Sequence, residues 1–219
     1  MNRKLVLLDL DGTLVDSAPA ILSALRAACV SCGVTPLVPL DAALIGPPLR
    51  AMIERLVGEK GSPIIARVEQ AFRDTYDETG YRDTISYPLL QDVLHRLRAA
   101  DHSLVLVTNK RRVPTLKILD LLDVAREFDA VYTVDSFPPG RLSKSQLVAR
   151  ALVELPGAAP ATTVMVGDTR EDQSASVANS IGFIAVTYGY GFSPSDLAAE
   201  DTPRIAALAE LPAAVARLF

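Results

Sequence analysis

Soft metal ligands are scarce in this chain: Cys29, Cys32, His95 and His102 are its whole complement of cysteine and histidine in 219 residues. Cys29 and Cys32 have the C-x-x-C spacing of a redox pair or half a zinc site. No second pair completes a tetrahedral set, and both histidines lie far off in sequence. The two cysteines share an apolar helical face with Ala18, Ile21, Leu22 and Leu25, where cysteine behaves as a small hydrophobe. They are expected to pack, not to react. Basic excess is missing too. The 22 Lys and Arg against 26 Asp and Glu leave a formal charge of −4, which gives no ground for a nucleic-acid or anionic-membrane partner. No apolar run approaches the roughly 20 residues of a spanning helix. Met1-Asn2-Arg3-Lys4 leads into a short apolar stretch instead of a signal-peptide core, so a cytoplasmic location is expected. Internal repeats and low-complexity segments are absent.

What the chain does have is core-forming material, at 49% hydrophobic residues. Its length suits one large domain or a domain with a sizeable insertion. Five short apolar runs read as strands: 5–8, 104–107, 131–134, 164–166 and 184–187. Helical spacing separates the later ones. Leu90, Val93, Leu94 and Leu97 mark one helix; Val113, Leu116, Leu119 and Leu122 a second; Ala175, Ala178 and Ile181, stopped by Gly182, a third. Nearly continuous apolar strands alternating with helices predict a doubly wound α/β fold with a parallel sheet covered on both faces.

Residues 16–85 break this alternation. Asp16-Ser17 is placed to cap a helix with Pro19 in its first turn and Gly33 at its end. A short helix ends at Gly46-Pro47-Pro48, and helical patterns follow over 48–57 and 62–79. No strand is expected there. A helical block directly after the first strand would lie over that strand's carboxyl end.

Ligands in such sheets bind outside the carboxyl ends of the strands. Asp9, Asp11 and Thr13 follow the first strand, Thr108-Asn109-Lys110 the second, and Gly167-Asp168-Thr169-Arg170-Glu171-Asp172 the fourth; Arg141 and Lys144 end the longer loop after the third. Carboxylates that emerge together from an apolar strand are costly unless something compensates them. A divalent cation is the natural compensator, and metal-assisted phosphoryl chemistry the natural use.

With these residues in hand, the chain resembles the haloacid dehalogenase-like phosphohydrolases, whose signature is D-x-D-G-T, a hydroxyl residue after the second strand, a lysine, then G-D-x-x-x-D. The likeness spans essentially the whole chain. It implies a catalytic core of residues 1–15 and 86–219, with 16–85 as a small helical cap. Ile45-Gly46-Pro47-Pro48-Leu49, Thr108-Asn109-Lys110 and Thr187-Tyr188-Gly189-Tyr190-Gly191 look most like phosphoglycolate phosphatases. The resemblance makes Asp9 the nucleophile that forms an aspartyl-phosphate, and Asp11 the general acid and then base. These neighbours then need opposite protonation states, with a hydrogen bond from the cap side helping to keep the proton on Asp11. It implies Mg2+ bound by Asp9, the backbone carbonyl of Asp11, Asp168 and waters, with Asp172 binding directly or steadying those waters. Thr108, the backbone amide of Asn109 and Lys144 would hold the phosphoryl oxygens. Ser145 and Gln146 stand where the family usually places a proline after the lysine, so Arg141 is a rival for that role.

Substrate choice would fall to the cap, because a phosphate-binding core treats every monoester alike. Arg50 suits a carboxylate or second phosphate, and Lys110 is expected near the cleft between cap and core. The implied partner is a small phosphorylated metabolite, 2-phosphoglycolate the best single guess, and the implied assembly a monomer or homodimer. Sugar phosphomutase, pyrophosphatase and nucleotidase activities are the neighbouring alternatives. The mutases usually carry a Ser-Arg pair where Pro47-Pro48-Leu49-Arg50 stands here, and dehalogenases lack the second aspartate. A signalling receiver domain also clusters aspartates, a hydroxyl and a lysine at strand ends. It lacks the inserted helices, and its phosphorylated aspartate follows the third strand.

Overall fold

Residues 4–58, 60–137, 139–192 and 201–219 are described by the structure, a computed structural model. Five buried strands run parallel: β1 (Leu5–Leu8), β4 (Ser103–Thr108), β5 (Ala130–Thr133), β6 (Thr163–Gly167) and β7 (Gly182–Val186). A two-residue strand, β8 (Arg204–Ile205), extends the sheet to the order β5-β4-β1-β6-β7-β8. β1 lies at the centre, with Leu7 in register with Val105 on one side and Met165 on the other. The doubly wound reading therefore holds.

The apolar runs are continuous because both faces of the sheet are covered. Val6, Leu8, Leu104 and Leu106 face one core with α4 (Leu90–Ala99). Leu5, Leu7, Val105 and Val107 face a second core with α6 (Lys144–Glu154) and Ala175 of α7 (Arg170–Ala178). The remaining sheet-side helices are α5 (Arg112–Leu121) and α8 (Leu211–Leu218).

The helical segment is α1 (Ala18–Ser31), α2 (Leu49–Val57) and α3 (Pro63–Tyr76). These helices have a core of their own, built on Ile21, Leu25, Ile53, Leu56, Ile65 and Phe72. Cys29 is buried in it and Cys32 half-buried at its edge, both free, as packing residues should be. Among the described residues no helix is long and apolar enough to cross a membrane.

Three expectations need correction. The segment is not free of strand: β2 (Val15–Asp16) pairs antiparallel with β3 (Ile85–Ser86), so both connections to the sheet run side by side. On α5 the inward residues are Pro114, Thr115, Ile118 and Leu119, while Val113 is 52% exposed. The start of α5 is set by tertiary partners: the Arg112 N–H donates to Asp135 Oδ1 at 2.8 Å, and Arg111 pairs with Asp77. Finally, α7 ends at Ala178, which is exposed, and a left-handed Ser180 (φ 55°) makes the turn; Gly182 opens β7 and does not stop the helix.

Candidate active site

Asp9 continues β1 by one residue, its N–H donating to Val166 O at 3.0 Å. The chain then folds on itself: the N–H groups of Thr13, Leu14 and Val15 all turn to Leu10 O, and Gly12 takes φ 81°. A side chain on Gly12 would be strained at that angle and would collide with the Asp168 carboxylate. Glycine here is what lets two strand ends bring carboxylates together.

The G-D-x-x-x-D spacing has a local cause as well. Thr169 caps α7, accepting from Asp172 N–H at 3.3 Å, while Asp172 Oδ2 accepts from the Thr169 N–H at 3.0 Å and from its hydroxyl at 2.5 Å. This reciprocal capping box directs the other oxygen, Oδ1, inward. Gly167 is required because any Cβ there would strike the Asp172 carboxyl. Ser143 builds a second capping box at the start of α6 and thereby fixes Lys144 at its first position.

Lys144 Nζ lies 3.0 Å from Asp9 Oδ2 and 2.7 Å from Asp172 Oδ1, and only 2% of the residue is exposed. Burial would strip its proton, but Asp172 and Asp9 outweigh burial and keep it charged. Arg141, its rival, turns instead to Glu69 on α3 at 3.2 Å.

Asp9, Asp168 and Asp172 each place a carboxylate oxygen within 4.8 Å of the others, all three buried. One cation, Lys144, faces this group. Burial drives the Asp9 carboxyl well above its usual range, Lys144 opposing and Asp172, Asp168 and Asp11 adding to the rise. Asp168 is pushed up to about 6, by burial first and Asp172 second. Asp9 Oδ1 is buried with no hydrogen-bond partner. An orphaned carboxylate oxygen beside two more acids is a set of hard oxygen donors short of one cation, and a divalent ion fits it.

Asp11 stands apart from that group and meets only donors. Lys110 Nζ is 2.8 and 3.1 Å from its two oxygens, and Ser17 Oγ donates at 2.5 Å. A hydrogen bond does reach Asp11 from the start of α1, but Ser17 donates it and Lys110 pairs with the same carboxyl, so the proton-retaining contact expected from the cap side is not what forms. Lys110 also sits 5.0 Å from the centre of the Tyr76 ring on α3.

Thr108 and Asn109 end β4 and are both buried. The Thr108 hydroxyl accepts from Lys110 N–H at 3.2 Å, and the Asn109 amide donates to Gly46 O and Glu171 Oε2 at 3.2 and 2.9 Å. Between these residues and the apolar Ile21, Pro48, Met52 and Phe72 of the inserted helices lies a cleft of about 50 Å³, also lined by Arg111 and Arg141. The described lining does not include Arg50, which pairs with Glu54 and Glu69 at 3.4 and 3.5 Å and is 45% exposed along its side chain. One ion pair and one hydrogen bond tie the inserted segment to α5 beside the cleft: Arg111 grips Asp77 with two bonds of 2.5 Å, and Lys117 Nζ donates to the Asp77 backbone carbonyl at 2.6 Å.

This arrangement matches known proteins. Residues 6–186 fit the family model described as haloacid dehalogenase-like hydrolase. The chain belongs to the haloacid dehalogenase-like hydrolases. It is 32% identical over 204 residues to a phosphoglycolate phosphatase of Psychrobacter arcticus, covering 88% of this chain and 86% of that one. It is 31% identical over 192 residues to the tyrosine-protein kinase PtkA of Mycobacterium tuberculosis, covering 87% of this chain and 64% of that one. The crystal structure of a predicted phosphatase from Clostridium acetobutylicum superposes with a TM-score of 0.86 at 25% identity, covering 99% of this chain and 100% of that one. The four elements of the haloacid dehalogenase-like signature converge on one sheet edge. Ser17, Tyr188 and Tyr190 lie outside them, and sequence reasoning gave these three no place in the site. Tyr188 donates to Thr13 O at 2.8 Å, and Tyr190 N–H to Asp168 Oδ2 at 2.7 Å. The aromatic-glycine run at 187–191 was the one signal available.

Proposed function

We propose that this chain is a magnesium-dependent phosphatase of a small phosphorylated metabolite, with 2-phosphoglycolate the leading substrate. The reading rests on one observation above all: Asp9, at the end of a buried strand, keeps a carboxylate oxygen with no partner inside a three-acid group that a cation fits. The family supports hydrolysis, and the name of the Psychrobacter relative supports the substrate.

Asp9 attacks phosphorus, and an aspartyl-phosphate splits hydrolysis into two easier steps. Asp11 gives a proton to the leaving oxygen and then takes one from the attacking water. Thr108, the backbone N–H of Asn109 and Lys144 hold the phosphoryl oxygens, so that catalysis is largely positioning and charge neutralisation. Asp9, Asp168 and the Asp11 carbonyl would hold magnesium. Asp172, whose oxygens meet Lys144 and Thr169, would bind the ion directly or steady the site from behind. When bound, the ion supplies the positive charge that an anionic substrate needs among these carboxylates.

Residues 16–85 act as the cap that encloses the substrate. Lys110 and Arg141, both in the lining, are placed to meet a second anionic group; Arg50 acts from outside the lining, through Glu69. Phosphate release across phosphoglycolate, pyrophosphate, nucleoside monophosphates and sugar phosphates tests the reading, with phosphoglycolate expected to lead. In the same assay Arg141→Ala and Arg50→Ala raise KM for phosphoglycolate and spare p-nitrophenyl phosphate. Equal losses on both substrates remove either arginine from recognition.

Metal binding carries a pH signature. A carboxyl raised in the folded state, such as Asp168 from 3.8 to about 6, contributes stability that is full below about pH 4 and lost as the pH rises through about 6. A cation replaces the protons. The rise in melting temperature on adding magnesium is therefore expected to be small near pH 5 and to grow through pH 7. A shift of one size at both values contradicts a carboxylate site.

A further inference from the structure

Tyr190 joins the acid cluster to the first inserted helix. Its backbone N–H holds Asp168 Oδ2, and its phenol reaches the start of α1. There it accepts from the N–H groups of Ser17 at 2.8 Å and Ala18 at 3.1 Å, and donates to Asp16 Oδ1 at 2.7 Å. One donor and two lone pairs are all a phenol has, and all three are used. Burial and the bond to Asp16 push its pKa up, so it stays a neutral donor. Glycine on either side makes the approach possible: a Cβ on Gly189 or Gly191 would run into Asp168.

The contact ends on Ser17, whose own hydroxyl behaves unusually for its position. As the residue before α1, its hydroxyl would ordinarily accept from the second or third helical N–H. The second is Pro19, which has none, leaving Ala20. Ser17 makes no such bond. It is fully buried, and its hydroxyl donates to Asp11. The same hydroxyl has two competing places, its own helix and the acid–base carboxyl.

We infer that Tyr190 is a positioning residue: by accepting from the Ser17 backbone N–H, its phenol fixes the residue whose hydroxyl holds Asp11 in place. The inference rests on the acid–base role proposed for Asp11. Two variants and their combination test it. Tyr190→Phe removes the phenol and keeps the ring; Ser17→Ala removes the hydroxyl. With p-nitrophenyl phosphate, each is expected to lower kcat by about tenfold, the value of one hydrogen bond to a carboxyl group, with KM little changed. The double variant is no slower than Ser17→Ala, because Tyr190 acts only through Ser17. A kcat loss equal to the product of the singles overturns the inference. Wild-type protein without turnover defeats the phosphatase reading instead, and a crystal structure of Tyr190→Phe then decides this inference alone: the Ser17 hydroxyl is expected to leave Asp11, and a bond unchanged from wild type overturns it.

Discussion

Asp9→Asn is expected to end phosphate release, a loss of about 10⁴-fold or more with p-nitrophenyl phosphate and magnesium. The amide keeps the shape of the carboxyl but offers no anionic oxygen to phosphorus. It also removes one partner of Lys144, at 3.0 Å, and the orphaned oxygen that marks the cation site. The fold should not suffer. Burial disfavours the charged form of Asp9, so replacing it with a neutral group of the same size leaves the metal-free melting temperature unchanged or higher. The melting shift on adding magnesium should shrink in the same protein. Loss of turnover with the fold intact separates a nucleophile from a structural acid. Even about one per cent of wild-type activity would place the nucleophile elsewhere.

The difference between what could and could not be read from the sequence follows from range. β1, β4 and β6 are sandwiched between two cores, so their middle residues are all apolar and the strand announces itself: 104–107 was expected, and Ser103–Thr108 forms. β2, β3 and β8 have two residues each, too few for any period to show. The acid cluster was legible because Asp9 and Asp168 directly follow readable strands, with Asp172 four residues on in the first turn of α7, and strand ends share an edge. Its finer wiring was not. Ser17 has the local spacing of a helix cap, yet its hydroxyl turns to Asp11 while a phenol 173 residues away takes its N–H. Lys110 was expected near the cleft, but its seat between Asp11 and Tyr76 needs α3 folded over the sheet. On α5, Val113 fits the apolar period, yet Arg111 and Arg112 are tied to Asp77 and Asp135, and those ties set the helix face.

Lys144→Ala is expected to damage fold and catalysis together, and Arg141→Ala to do neither to that degree. Lys144 is the one cation, among the described residues, that an ion pair joins to either Asp9 or Asp172, and it is buried with both. Removing one partner of a buried ionic group leaves the others uncompensated, at a cost of about 3–5 kcal/mol. In a chain of this length that is a fall of roughly 10 °C in melting temperature. Turnover should drop by about 10²–10³-fold, as when a single donor to a developing anion is lost. Lys144→Arg is no remedy. With Nζ within 3.0 Å of two carboxylates and 2% of the residue exposed, there is no space for a planar guanidinium. Arg141 pairs with Glu69, which already holds Arg50 and Arg73, so its loss orphans nothing. Its variant should melt within about 2 °C of wild type, as surface substitutions usually do. Magnesium sharpens the comparison. A dication bound by Asp9 and Asp168 offsets part of the charge that Lys144→Ala leaves behind, so that variant should gain more from magnesium than wild type does. Similar melting and turnover in the two alanine variants would return the phosphate-binding role to Arg141.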